Sequence, residues 1–167
     1  MKKSIIGSGY IFLFLMCLSC GTVNDFIAEE SPKKISHYSN GSDWYAGTAR
    51  FSITSEKGSY IAGFRFNRKQ TRVHDDLYAS CVALGTKNGF PEIVFASIDV
   101  IGLMKSDIDE IRKAVKRVSA YGIIISATHT HSGPDTIGFW GKFPILTSGR
   151  DESYMAFLKI QILKCIE

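Results

Sequence analysis

Several kinds of signal are missing from this sequence. No internal repeat is visible. No apolar run reaches the roughly 20 residues that a membrane-spanning helix needs. No basic cluster with interleaved aromatics is present, and the formal net charge is only +4, so nothing argues for a nucleic-acid partner. Two of those charges are Lys2 and Lys3, which leaves +2 for the remainder. Cysteine is scarce, with four in the chain. Two of them, Cys17 and Cys20, fall near the N-terminus. The spacing of Cys81 and Cys165 matches no metal motif, and both read as small buried apolar residues. No nucleophile-elbow pattern surrounds Ser132, so it is a poor nucleophile. What is present is ordinary for a globular chain: 167 residues, 45% hydrophobic and 22% charged. That is at most one domain's worth of residues, with enough apolar content for a core.

The N-terminus reads as an export leader. Lys2 and Lys3 form a positive start, and Ile5 to Leu18 is an apolar stretch, mildly interrupted by Gly7, Ser8 and Gly9. That is short for a bilayer span and fits a signal segment. It ends Cys17-Leu18-Ser19-Cys20-Gly21, which resembles a bacterial lipoprotein signal with Cys20 as the lipidated residue. Cys17 departs from the aliphatic residue usual at that position, so a plain secretory signal and an uncleaved anchor stay open. The expected organisation is a leader over 1–20, a polar tether over 21–43 and a folded part over 44–167. The expected location is exported, held to the cell envelope through the lipid or otherwise secreted. Asn40-Gly41-Ser42 is formally a glycosylation sequon and carries little weight in a bacterial lipoprotein.

From Trp44 the pattern changes. Strands are predicted over Tyr45–Ile53, Tyr60–Phe66, Leu77–Leu84 and Ile93–Ile98, with a turn at Lys87-Asn88-Gly89. Ile93–Ile98 is a continuous apolar run, of the kind that suits strands covered on both faces. A helix follows, with Ser106 as its expected cap, Asp109 completing a capping box, and Ile108, Ile111, Val115 and Val118 on one face. Arg112, Lys113, Lys116 and Arg117 read as a solvated face. Ile123-Ile124-Ile125 is another strand. Strand, helix, strand is a right-handed parallel crossover. A second helix is predicted over Glu152–Ile166, with Met155, Leu158, Ile162 and Cys165 inward. The fold class expected is α/β: a mixed sheet with central parallel strands and flanking helices, forming an incomplete, truncated domain.

In a parallel pair both carboxyl ends lie on one sheet edge, where α/β proteins place ligands. Asp99 ends the first of these strands, and Thr128-His129-Thr130-His131 ends the second. In extended chain, residues two apart face the same side roughly 6–7 Å apart, so His129 and His131 would look into one cleft. Gly133 and Pro134 then turn the chain. On the residues alone, a metal or acid–base role and an ordinary hydrogen-bonded role stand about level. Asp99 is either a partner that orients a histidine or a strand-end carboxylate. His74 with Asp75 either approaches the cleft or serves as a loop hydrogen bond. Asp135 reads as a turn residue. Phe139, Trp140 and Phe143 either contact an acyl chain or pack together.

Ser126-Ala127-Thr128-His129-Thr130-His131-Ser132-Gly133-Pro134 resembles the signature of the neutral/alkaline, non-lysosomal ceramidases. Ala46–Thr54, Val73–Ala79 and the Ser97-Ile98-Asp99 strand end followed by Gly102-Leu103 agree in order and spacing. The likeness extends over roughly residues 45–165. It implies hydrolysis of the N-acyl amide bond of ceramide or a similar lipid at a single Zn2+ site. It implies that His129 is a zinc ligand and that His131 is catalytic beside it; Asp99, from its place at the strand end, is a further catalytic candidate. Asp76 replaces a proline of the family, and Ser80 stands where relatives usually carry arginine. The family's remaining ligands, a histidine, a glutamate and a tyrosine, lie far downstream of the stretch matched. The expectation is an N-terminal fragment, inactive alone and dependent on a downstream chain to complete its site. The alternative is a non-catalytic, lipid-anchored surface protein, either a relic or a binding module.

Overall fold

The computed structural model describes residues 45–56, 58–86 and 91–167. The leader, the tether and the expected turn at 87–89 lie outside the described residues. Four strands form one sheet: β1 (Tyr45–Ser52), β2 (Tyr78–Gly85), β3 (Pro91–Ile98) and β4 (Ile123–Ala127), in the order β1-β2-β3-β4. β1–β2 and β2–β3 are antiparallel. β3–β4 is parallel, with Ile98 in register with Ala127. Two helices, α1 (Lys105–Ala114) and α2 (Glu152–Ile166), complete the set with a 3₁₀ turn at Ala120–Gly122. The architecture is the expected α/β arrangement: a mixed sheet with helices, the parallel pair joined through α1.

Both helices lie on one face of the sheet. There Ala79, Cys81, Val94, Ala96, Ile98 and Ile123 are buried against Ile111, Met155, Leu158 and Ile162. The other face is open: Val82, Phe95 and Ile124 are each more than two-fifths exposed. The apolar runs of β3 and β4 therefore do not reflect cover on both sides. Their period-2 pattern of buried and exposed residues is that of a one-sided sheet. α2 behaves as read, with Met155, Leu158, Ile162 and Cys165 all inward. Its start is capped by Asp151, whose carboxylate accepts from the Ser153 and Tyr154 amides.

Two expectations change. Tyr60–Phe66 is not a strand but a loop with isolated bridges, Tyr60 to Lys69 and Ile61 to Pro134. Gly63, Phe64 and Asn67 all have positive φ, which curls the chain and breaks any ladder. α1 does not start at a Ser106 cap. Its N-cap is Met104, with no side-chain cap, so Ser106 is already inside the helix. Asp109 pairs with Lys105 across one turn at 2.6 Å rather than closing a capping box. The helix stops at Ala114, and Val115 is extended. Val115 and Val118 are buried, but from the segment that follows the helix.

Candidate functional site

The parallel pairing of β3 and β4 brings their carboxyl ends together. The carbonyl of Ile98 accepts from the amide of Val100 at 2.8 Å and from that of Thr128 at 2.9 Å, so both chains leave the sheet from one point. β4 ends at Ala127, before the histidines. His129 is not extended: its φ is 61°, in the left-handed region. Histidine tolerates that region better than most residues. The His129 and His131 rings are neighbours, with centroids 5.3 Å apart and planes inclined at 60°. A turn at His129, rather than the alternation of an extended strand, places them side by side. His129 is exposed and His131 half-buried.

Each ring has its own support. Nδ1 of His129 lies 2.7 Å from the carbonyl oxygen of Ile101. A carbonyl can only accept, so Nδ1 carries the hydrogen and the neutral ring presents a bare Nε2. That is the arrangement of a metal-binding imidazole, whose other nitrogen is held by a carbonyl or carboxylate. His131 lies edge-on to Phe64, with centroids 4.9 Å apart, and its ring closes over Gly63. Nη2 of Arg68 donates to the carbonyls of Ala62, at 2.9 Å, and His131. The amide of Ala62 donates to the carbonyl of Gly133 at 3.0 Å. The 60–68 loop thus clasps the segment that carries His131. A strand is predicted over Tyr60–Phe66, which hides this loop. The signal it held was Gly63, the one residue type that leaves room for the ring.

On the same edge lies a cleft of about 950 Å³. Its wall includes Asp99, Thr128, Thr130, Ser132 and His74. His129 and His131, which alternate with those hydroxyl residues, are not part of that wall. The expectation of a carboxylate and two imidazoles around one hollow is corrected in this respect. Asp99 Oδ2 accepts from the amide of Tyr78 at 3.0 Å, and its own amide donates to the carbonyl of Tyr78 at 2.9 Å. Its carboxylate therefore closes the β2–β3 strand end, and among the described residues it bonds to neither histidine. His74 bonds to its neighbour Asp75 at 2.7 Å, both well exposed at the cleft mouth.

Beyond the histidines the loop is organised by a buried carboxylate. Asp135, 1% exposed, accepts from the amides of Gly138 and Trp140, each at 2.7 Å, and from that of Ile137 at 3.2 Å. Three donors offset the cost of burying the charge. Thr136 is fully buried, and its hydroxyl bonds to the carbonyl of Gly102. Sequence reading missed the ion pair behind this loop. Arg150 grips both oxygens of Asp107, at 2.7 and 2.8 Å, and donates to the Thr136 carbonyl at 2.8 Å. Arg150 holds the Asp107 carboxyl below the usual carboxylate range.

The donor set fits a zinc ion only in part. His129 presents one ring nitrogen, Nε2, with its other nitrogen held by the Ile101 carbonyl. Among the described residues, no group of three or more His, Cys, Asp or Glu side chains is placed to hold a metal. Catalytic zinc sites usually take three protein ligands. No described helix is long and apolar enough to cross a membrane.

No protein-family model and no curated protein matches the chain. Among solved structures it is similar to neutral ceramidase from Pseudomonas aeruginosa. The TM-score is 0.61 at 17% identity, over 76% of this chain and 21% of that one. It is likewise similar to a ceramidase complexed with C2, with a TM-score of 0.60 at 17% identity over 75% and 21%. At this identity the likeness is one of fold. The chain spans about a fifth of the length of these neighbours.

Proposed function

We propose that this chain carries the histidine part of a ceramidase-like amidohydrolase site, directed at the N-acyl amide bond of ceramide or a similar lipid. The observation that supports it most is the pair at the carboxyl edge of β4. His129 has its Nδ1 tied to Ile101, and the His131 ring lies 5.3 Å away. The fold that carries them is one shared with neutral ceramidases. In this reading Nε2 of His129 is one ligand of a single Zn2+. A further histidine, a glutamate and a tyrosine come from polypeptide beyond the residues described, in the same protein or in a second chain.

When bound, zinc lowers the pKa of a coordinated water to about 7 and polarises an amide carbonyl. This chain's own residues do the rest. The Ile101 carbonyl fixes the tautomer of His129. A ring nitrogen of His131 takes the proton of the attacking water and returns it to the leaving amine, a role worth about 10²–10⁴-fold in rate. The 60–68 loop holds His131 in place. Asp99 closes the β2–β3 strand end and bonds to neither ring. The leader belongs to the same reading: export, with Cys20 as the lipidated residue, keeps the chain close to a lipid substrate.

The test is a zinc titration of the chain followed by the imidazole NMR signals. Weak binding is expected, with the His129 resonances moving first, and His129→Ala abolishing the response. Supplying a polypeptide with the missing ligands should restore hydrolysis of a fluorescent ceramide, and His131→Ala should then lower it by about 10²–10⁴-fold. Zinc that leaves both imidazoles unmoved would sink the reading. Tight stoichiometric zinc in the chain alone would contradict the partial ligand set.

A further inference from the structure

Beyond the histidines, two loops hold their largest apolar side chains out into water. In the first, Phe64 is 82% exposed, and Phe66 is also open. In the second, Ile145 is 97% and Leu146 84% exposed, with Phe139 and Phe143 beside them. The loops are joined: the amide of Asn67 donates to the carbonyl of Gly141 at 2.9 Å. Six exposed apolar side chains gathered on two hydrogen-bonded loops are the kind of display that marks an interaction site.

The backbone holds this display in place. Phe64 and Ile145 both have left-handed φ, 58° and 65°. For a bulky or β-branched residue that is an outlier. Neither side chain is repaid by burial, so the fold bears strain to keep them outward. Behind them Asp135 fixes the Ile137–Trp140 turn, and Thr147 bonds both backbone groups of Phe143, at 2.8 and 3.1 Å. The tips are a built shape.

The charge carried by the two loops themselves has one sign. Residues 60–70 and 136–149 contain Arg65, Arg68, Lys69 and Lys142, and no aspartate or glutamate. Three of the cations stack on the loops' own rings: Arg68 on Phe64, Lys69 on Tyr60 and Lys142 on Phe143. Aromatic and aliphatic tips ringed by cations suit the boundary between headgroups and acyl chains, where apolar burial and attraction to anionic lipid add. A water-soluble protein partner with an acidic surface would meet the cations but not the apolar tips.

We propose that the joined 63–67 and 139–146 loops form a docking tip for a bilayer containing anionic lipid. Phe64 touches His131, so a docked bilayer would lie next to the histidine pair. Binding is read without catalysis, so this inference and the hydrolytic reading can fail separately.

Trp140 sits inside the second loop and reports on it. The experiment uses the full chain with Trp44→Phe, which leaves Trp140 as the sole tryptophan. Vesicles carry brominated phosphatidylcholine, with or without phosphatidylglycerol. Expected results are a blue shift and strong quenching of Trp140 on the anionic vesicles, weaker on neutral vesicles and in high salt. Adding Ile145→Ser with Leu146→Ser should remove most of the quenching. Tyr121→Ser, an equally exposed change at the opposite sheet edge, should leave it intact. Attachment through the N-terminal leader alone would leave Trp140 unquenched in every variant, which would overturn the proposal. So would quenching that survives the double substitution, or self-association on the same face without lipid contact.

Discussion

The ring of His131 fills the space that a side chain on Gly63 would need: a methyl group there would lie 2.4 Å from its Cγ. Gly63 also has a φ of 78°, where any other L-residue is strained. Gly63→Ala therefore meets two penalties. The backbone term alone is about 1–2 kcal/mol, and the ring must also move. The expected outcome is a lower Tm together with displaced His131 imidazole signals, while the Tyr121 region at the far edge is unchanged. An alanine variant with unmoved His131 signals would show that the loop does not position the ring.

Asp107 and Arg150 form a bidentate pair between α1 and the start of α2, with side-chain exposures of 4% and 17%. Removing one partner strands a buried charge. Asp107→Asn should cost about 3 kcal/mol at neutral pH, measured by urea unfolding. Hydrogen bonds from Arg150 hold the Asp107 carboxyl below its ordinary range. A group with a depressed folded value contributes stability above its unfolded value, near 3.9, and loses it as the pH falls through the folded value. The gap between wild type and Asp107→Asn should thus be full at pH 7 and close in strong acid. A gap that stayed constant across that range would remove the linkage.

Strand β1, strands β2 to β4 and helix α2 were legible because their apolar periodicity acts locally and points one way. The parallel crossover also followed, since strand, helix, strand leaves few alternatives. Three things were not legible. A run such as Ile123-Ile124-Ile125 does not say which of its faces is covered; that depends on where both helices land. The Ser106 and Asp109 pattern competed with Asp107, whose partner Arg150 lies 43 residues away. No local signal announces such a pair. At the site, His129 and His131 stood out in the sequence. The turn that brings their rings together, the clasp from Arg68 and the separation of Asp99 from both depend on long-range contacts.

Cys81 and Cys165 are free thiols, both buried, and they meet where the last turn of α2 crosses β1 and β2. Sγ of Cys165 lies 3.4 Å from the carbonyls of Ala49 and Ala79. Its hydrogen bond with Cys81, together with burial, pushes the Cys81 thiol up. The same contact lowers Cys165, so burial, at 4% and 5% exposure, is what shields both sulfurs from a reagent. In a chain with Cys17→Ser and Cys20→Ser, a thiol reagent should label neither cysteine in the native state and both in denaturant. Rapid native labelling would mean that this corner of the core opens readily.

Ile145 has a φ of 65° and is 97% exposed, so it bears strain without compensating burial. Glycine adopts that backbone freely. Ile145→Gly should recover about 1–2 kcal/mol of left-handed strain and give back roughly 0.5–1 through the greater freedom of the unfolded chain. A net gain of about 1 kcal/mol would raise Tm by about 2–4 °C in a chain of this size. The same variant should dock less well to anionic vesicles, because the tip loses its most exposed apolar side chain. A residue whose removal improves the fold and weakens a surface activity is retained for that activity. If Ile145→Gly lowered Tm instead, the side chain would be supporting the loop, and the strain would need a purely structural account.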